Sequence, residues 1–331
     1  RLAAVSLNGR CRQAVRHFSA PSVRFNTAFE AGTVTMILIS LAPWRARAAG
    51  VIGGLMAFLA GPSLALPPIW IVRDADSEMV IFGSVHILPA DLDWQPPVLS
   101  AALAKADDVW FELPIDMATQ SRVSELALEK GLVAKGAHLS DKLSVAGRAR
   151  LVRVSSRAGI RPEQLERFRP WLAEATLSVA ALQSQGAWAR DGVEQVLSAG
   201  LDLKVERRAF ETPEQQIDIL ANGREAEQMA SLEETLRRMD EEPDTYAALL
   251  ASWMAADLGG LEREALQPVR QRTPDLYKTL IHDRNLRWVE VLKQRMDGRG
   301  RTVIIVGVGH LLGKDGLPER LRRLGYRVEG P

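Results

Sequence analysis

Hydrophobic and polar positions along the chain follow two patterns. Short, nearly unbroken apolar runs stand at 69–73 (IWIVR), 79–84 (MVIFGS), 108–113 (DVWFEL) and 302–306 (TVIIV). Runs of that length bounded by turn residues predict strands. Asp74, Ala75, Asp76 and Ser77 form a polar turn between the first two runs, which predicts a hairpin. Weaker strand signals stand at 203–206 (LKVE) and 326–329. Elsewhere apolar residues recur at helical spacing: 97–106, 117–130, 141–158, a segment opening at Pro162, 170–184 and 191–199. The same spacing runs from Pro213 to Arg263 with a break near 241–244, then over 274–296 and 316–324. Gly159 closes one helix and Pro162 opens the next, the usual stop and restart. Strand, helix and strand over 79–113 predict a parallel crossover. The fold class is therefore α/β: a mixed central sheet formed by the N- and C-terminal segments, with a large helical insertion in the middle.

Composition alters this picture only at the start of the chain. Overall, 47% hydrophobic and 25% charged residues with a net charge of +1 are ordinary for a globular protein, and nothing global suggests nucleic acid. Residues 1–65 differ, with no Asp, a single Glu (Glu30) and seven arginines. Arg45 and Arg47 precede an apolar run from Ala48 to Ala60, and Ser63, Leu64 and Ala65 offer small residues for cleavage. That is the pattern of a signal peptide over 36–65, with Met36 as its start and 1–35 as a non-native or unstructured extension. A membrane span is the rival, but Gly50, Gly53, Gly54, Gly61 and Pro62 interrupt it. Cleavage near Ala65 would leave a periplasmic or secreted domain over 66–331, touching a membrane only if the signal segment is uncleaved. The one cysteine, Cys11, lies in the removable part, so the mature chain would have neither a thiolate metal site nor a cysteine nucleophile.

Candidate chemistry sits at the ends of two strands. The run 79–84 leads through Gly83 to His86, and the run 302–306 leads through Gly307 and Gly309 to His310. The chain has five histidines, and two of them occupy the same local context. Ligands in α/β sheets bind beyond the carboxyl ends of the strands, and glycines there let the backbone turn and a bound group approach. Glu112 follows Trp110 and Phe111, and a carboxylate in an apolar strand is costly unless paired or bound to metal. His86, Glu112 and His310 thus suggest a divalent metal site with positions open to water, or Glu112 as a general base beside it.

These residues carry a resemblance to the TraB/GumN family. Its signature of two G-x-x-H motifs with an intervening glutamate is similar to Gly83–His86, Glu112 and Gly307–His310. The stretches ETPEQQ (211–216) and RNLRW (284–288), and the terminal run 306–328, resemble further family elements. The resemblance covers about 67–329. It implies a fold similar to the erythromycin-esterase/ChaN-like group. It also implies kinship with the TIKI metalloproteases, whose cofactor would be Mn²⁺ or Co²⁺ more than Zn²⁺. In DGVEQVL the family pattern has Gly-Ile-Asp, whereas this chain has Gly192, Val193 and Glu194, a carboxylate one methylene longer.

Other candidates keep two readings. Arg284 shares a helix face with Trp288, so it is either a packed cation–aromatic pair or a cleft residue holding a substrate carboxylate or an oxyanion. Asn285 accompanies it. Glu194, Glu211 and Gln215 either support the polar core or stand behind the ligands. The expected activity is metal-dependent hydrolysis of peptide or related acyl bonds, the partner being a peptide or small-molecule substrate. The alternatives are a non-catalytic peptide-sequestering protein and a haem or iron binder.

Overall fold

The computed structural model describes residues 66–331. The expected extension at 1–35 and signal segment at 36–65, with Cys11, Arg45 and Arg47, lie outside the described residues. The strands are β1 (Ile69–Arg73), β2 (Ser77–Ser84), β3 (Leu88–Pro89), β4 (Asp108–Phe111), β5 (Ala187–Trp188), β6 (Glu206–Ala209), β7 (Gly300–Gly307) and β8 (Arg327–Glu329). Six of them form one sheet in the order β6-β4-β7-β2-β1-β8. β2, β7, β4 and β6 run parallel to one another, while β1 pairs antiparallel with both β2 and β8. The mixed sheet built from both ends of the chain is therefore present, and the hairpin β1–β2 is as expected. The short pair β3–β5 stands apart.

The burial of these strands explains their sequences. β2, β4 and β7 are buried on both faces, as interior parallel strands are, so they read as nearly unbroken apolar runs. Val80, Phe82, Val303 and Ile305 face one core with Trp94 and Trp253. Met79, Ile81, Ile304 and Val306 face a second core with Trp70 and Trp288. A third core, around Leu151, Leu177, Leu232 and Leu236, belongs to the helical insertion alone.

The helices run α1 (Pro97–Leu103), α2 (Met117–Gly131), α3 (Val145–Arg157), α4 (Pro170–Ser184), α5 (Val193–Gly200), α6 (Pro213–Ala221) and α7 (Glu225–Glu241). There follow α8 (Thr245–Met254), α9 (Leu258–Leu261), α10 (Gln267–Arg272), α11 (Pro274–Tyr277), α12 (Asp283–Met296) and α13 (Leu317–Arg323). Two expected boundaries moved. The helix expected from 141 begins at Val145 because the Ser144 side chain caps it at Gly147 N, after a separate turn at Leu139–Asp141. The strand expected at 203–206 lies instead at Glu206–Ala209, an exposed edge whose charged residues pair with β4 on one side only. Among the described residues no helix is long and apolar enough to cross a membrane.

Candidate active site

Four successive parallel strands end at one place. β2 and β7 are in register up to Ser84 opposite Gly307, so the two histidine turns leave the sheet side by side. Beyond β4 and β6 the ladder continues, since Glu211 N donates to Glu112 O at 3.0 Å, and this sets the two glutamates at one level. His86, Glu112, Glu211 and His310 thus come from the carboxyl ends of β2, β4, β6 and β7, where open α/β sheets bind ligands. α12 supplies Arg284 and Asn285 from the second face, both buried. Directly before it, residues Lys278–His282 form a π-helical turn, a feature common near functional sites.

Arg284 ties the site together. Its Nε donates to Glu211 Oε1 at 2.8 Å, and its Nη2 donates to Glu211 Oε2 at 2.9 Å and Glu112 Oε2 at 2.5 Å. Its Nη1 donates to the Leu280 carbonyl at 3.3 Å and to His310 Nε2 at 3.0 Å. All five guanidinium N–H groups are engaged. An oxyanion or substrate carboxylate could take one only by displacing a partner. Burial opposes the charge on Arg284, but Glu112 and Glu211 outweigh it and hold the guanidinium firmly protonated. The side chain also lies 4.6 Å over the Trp288 ring, so the cation–aromatic pair and the place in the polar cluster coexist. Glu112 is the other half of this pairing. Burial works against its charge, Arg284 overcomes that, and its carboxyl is held down at about 2, helped by the Gly307 N–H at 2.7 Å.

The tautomer of His310 follows from Asn285. The Asn285 Nδ2 group donates to the carbonyls of His310 and Asp315 at 3.0 and 2.8 Å, so its Oδ1 is the acceptor for His310 Nδ1 at 2.7 Å. Nδ1 therefore carries the proton, and Nε2 is the lone pair that meets Arg284. Burial and Arg284 press the imidazole down to about 3, so it is neutral. His86 differs. Its Nδ1 lies 2.5 Å from Glu194 Oε1, which also accepts from Ser84 Oγ at 2.5 Å. Burial lowers the His86 basicity, but the Glu194 charge outweighs it and the net direction is up. His86 Nε2 is buried and has no hydrogen-bond partner. Glu112, Arg284 and His310 all act electrostatically on His86 or on one another, so the two halves form one cluster.

Most of the residues singled out in the sequence meet here. Glu194 reaches His86, Glu211 holds Arg284 and Asn285 orients His310. Gly307 donates to Glu112, Gly309 lies in the buried turn before His310, and the Gly83 carbonyl accepts from Trp253 Nε1 at 2.8 Å. Gln215 is elsewhere, closing a capping box with Thr212 at the start of α6. Two contributors had roles that were not read from the sequence. Ser84 lies inside the first motif and could have been read from its place there. Gly192 could not, because its reason is a long-range contact: a Cβ there would lie 1.8 Å from the His86 carbonyl oxygen.

The profile described as TraB/PrgY/gumN family matches residues 68–330. The chain belongs to that family. Within it, the chain is similar to the uncharacterized protein YbaP of Escherichia coli (strain K12), 25% identical over 269 residues, covering 81% of this chain and 97% of that protein. The YbaP of Shigella flexneri is similar to the same extent. No solved structure matches the chain.

Two imidazoles and a carboxylate are a reasonable donor set for a divalent ion. Their arrangement here is a different matter. His310 Nε2 and Glu112 Oε2 both accept from Arg284, so neither atom is free to ligate a metal while the guanidinium holds it. Among the described residues no group of three or more His, Cys, Asp or Glu side chains is placed to hold a metal ion.

Proposed function

We propose that this cluster is the active site of an extracytoplasmic hydrolase acting on peptide or related acyl bonds. One observation carries the reading: His86 combines a buried, unpartnered Nε2 with an Nδ1 held by Glu194. An imidazole fixed by a carboxylate at one nitrogen and free at the other has the form of a general base. Nε2 would take the proton of a water attacking the acyl carbon, and Glu194 would stabilise the imidazolium that results. The imidazolium would return the proton to the leaving amine or alkoxide as the acyl bond breaks. Arg284, with its donors all engaged, would keep Glu112 and His310 in place rather than act on the substrate. The export part of the proposal rests on the pattern at 36–65.

The divalent ion, Mn²⁺ or Co²⁺ ahead of Zn²⁺, belongs to the proposal with a condition attached. His86, Glu112 and His310 would ligate it only after Arg284 has released His310 Nε2, and the proton transfer above does not require it. The test is cleavage of a peptide library with chelator and with added Mn²⁺, using the parent, His86→Ala and Glu194→Gln. The parent should cleave, and His86→Ala should lose on the order of 10²–10⁴-fold. Peptide binding without cleavage by the folded parent would point to sequestration instead, and a visible absorption band would point to haem. Activity unchanged in His86→Ala would refute the reading.

A further inference from the structure

A cleft of about 440 Å³ opens between α4, α6, α7 and the 275–287 segment, and neither motif histidine lines it. That volume suits part of a ligand. Three residues that line this cleft, Trp171, Glu174 and Gln228, carry buried polar groups that the cluster above does not use. The Glu174 side chain, 2% exposed, accepts from Ser231 Oγ at 3.0 Å and Thr235 Oγ1 at 2.7 Å, both on Oε1. Trp171 Nε1 and Gln228 Oε1 are buried without hydrogen-bond partners. The Gln228 amide is fixed, because its Nε2 donates to the carbonyls of Leu220, Ala221 and Gly223 at 3.1, 3.2 and 3.1 Å. Orphaned buried polar groups are rare and call for an explanation, such as a ligand that completes them.

The three groups are chemically specific. An indole N–H needs an acceptor and an amide oxygen needs a donor, and a peptide unit offers both. Once ionised, a buried carboxylate that accepts from two hydroxyls is complementary to a cation, whose approach itself favours the ionised form. The other acids that line the cleft already have cationic partners: Glu227 and Asp275 pair with Arg224, Asp218 with Lys130 and Asp283 with Lys278. The cleft also adjoins the cluster. Arg287 lines it, and its Nη2 lies 3.7 Å from the Glu211 carboxylate that anchors Arg284.

We infer that the cleft is a subsite for a basic side chain of a peptide, with Glu174 meeting its ammonium or guanidinium and with Trp171 and Gln228 meeting an adjoining peptide group. This deepens the proposed function and rests on it for the identity of the ligand as substrate. The test measures binding rather than turnover, so the two can fail separately. Calorimetric titration at pH 8, above the value of about 7 to which burial raises Glu174, would compare acetyl-Ala-Lys-Ala-amide with its norleucine counterpart, on the parent or, where the parent cleaves the peptide, on His86→Ala. The lysine peptide should bind about tenfold tighter or better. Glu174→Gln keeps an oxygen for Ser231 and Thr235 and should abolish the preference while leaving the norleucine peptide unaffected. Equal binding of the two peptides, no binding of either, or a preference that survives in folded Glu174→Gln would overturn the subsite. A lysine preference in a parent that cleaves nothing would uphold the subsite and sink the hydrolase.

Discussion

Arg284 meets five acceptors from inside the fold, and a lysine at that position could meet three at most. Glu112 and Glu211 are buried carboxylates whose compensation is this one guanidinium. Removing one partner of such a network leaves the others charged and desolvated, which costs about 3–5 kcal/mol. Arg284→Met should lose that much stability in urea denaturation, and Arg284→Lys should recover only part of it. Full recovery by lysine would show that charge alone matters and that the forked geometry does not. The sequence went a fair way at this scale. Glu112 stood out as an expensive carboxylate in an apolar strand, and Arg284 paired with Trp288 on helical spacing. What spacing could not supply is that positions 112, 211, 284 and 310 share one network. That meeting is made by strand order, because β4 lies between β6 and β7.

At the scale of elements, α5 offers a matched pair of glycines. Gly192 precedes it, where a Cβ would sit 1.8 Å from the His86 carbonyl oxygen, and Gly200 ends it with no neighbour within 4 Å. Both partners in the first contact are backbone, so relief means moving the turn that carries His86. Gly192→Ala should lose on the order of 3 kcal/mol, with hydrolysis falling further than the folded fraction does. Gly200→Ala should leave stability level or raise it by up to about 1 kcal/mol. Melting temperatures of the two variants check the pair, and equal values would show that the close approach has no consequence. Elements with strong apolar periodicity were legible to within a few residues, as with β2, α2 and α4. Those set by other forces were not. β6 is a charged edge strand defined by its neighbour, and the helical run after Pro213 breaks not only at 242–244, near where it was expected, but also at 222–224 and at Ala256, which has φ of 51°. The π turns at Glu262–Leu266 and Lys278–His282 leave no mark in a period of 3.6 residues.

Across the whole molecule the sheet is wrapped by two cores, and the insertion brings a third of its own. Glu174 belongs to that insertion, in the buried first half of helix α4. Burial pushes its carboxyl up to about 7, against the pull of Thr235, Ser231 and Arg238, whereas an unfolded glutamate titrates near 4.5. Between those values the folded protein holds a proton that the unfolded chain has released. Stability from this group is therefore fully present below about 4.5 and is lost as pH rises to about 7. The size is on the order of 3 kcal/mol. His310 works in the opposite direction, since its folded value near 3 lies below the ordinary 6.5 and its contribution grows with pH across that window. The total curve mixes the two, so the informative quantity is a difference between proteins. Glu174→Gln keeps the shape and hydrogen bonds of the carboxyl but cannot titrate. Urea denaturation at pH 5 and pH 8 should show the parent losing stability relative to Glu174→Gln between the two, by a few kcal/mol. A constant difference would mean that Glu174 is ionised in the fold at both pH values, and the insertion would then carry a buried charge rather than a buried acid.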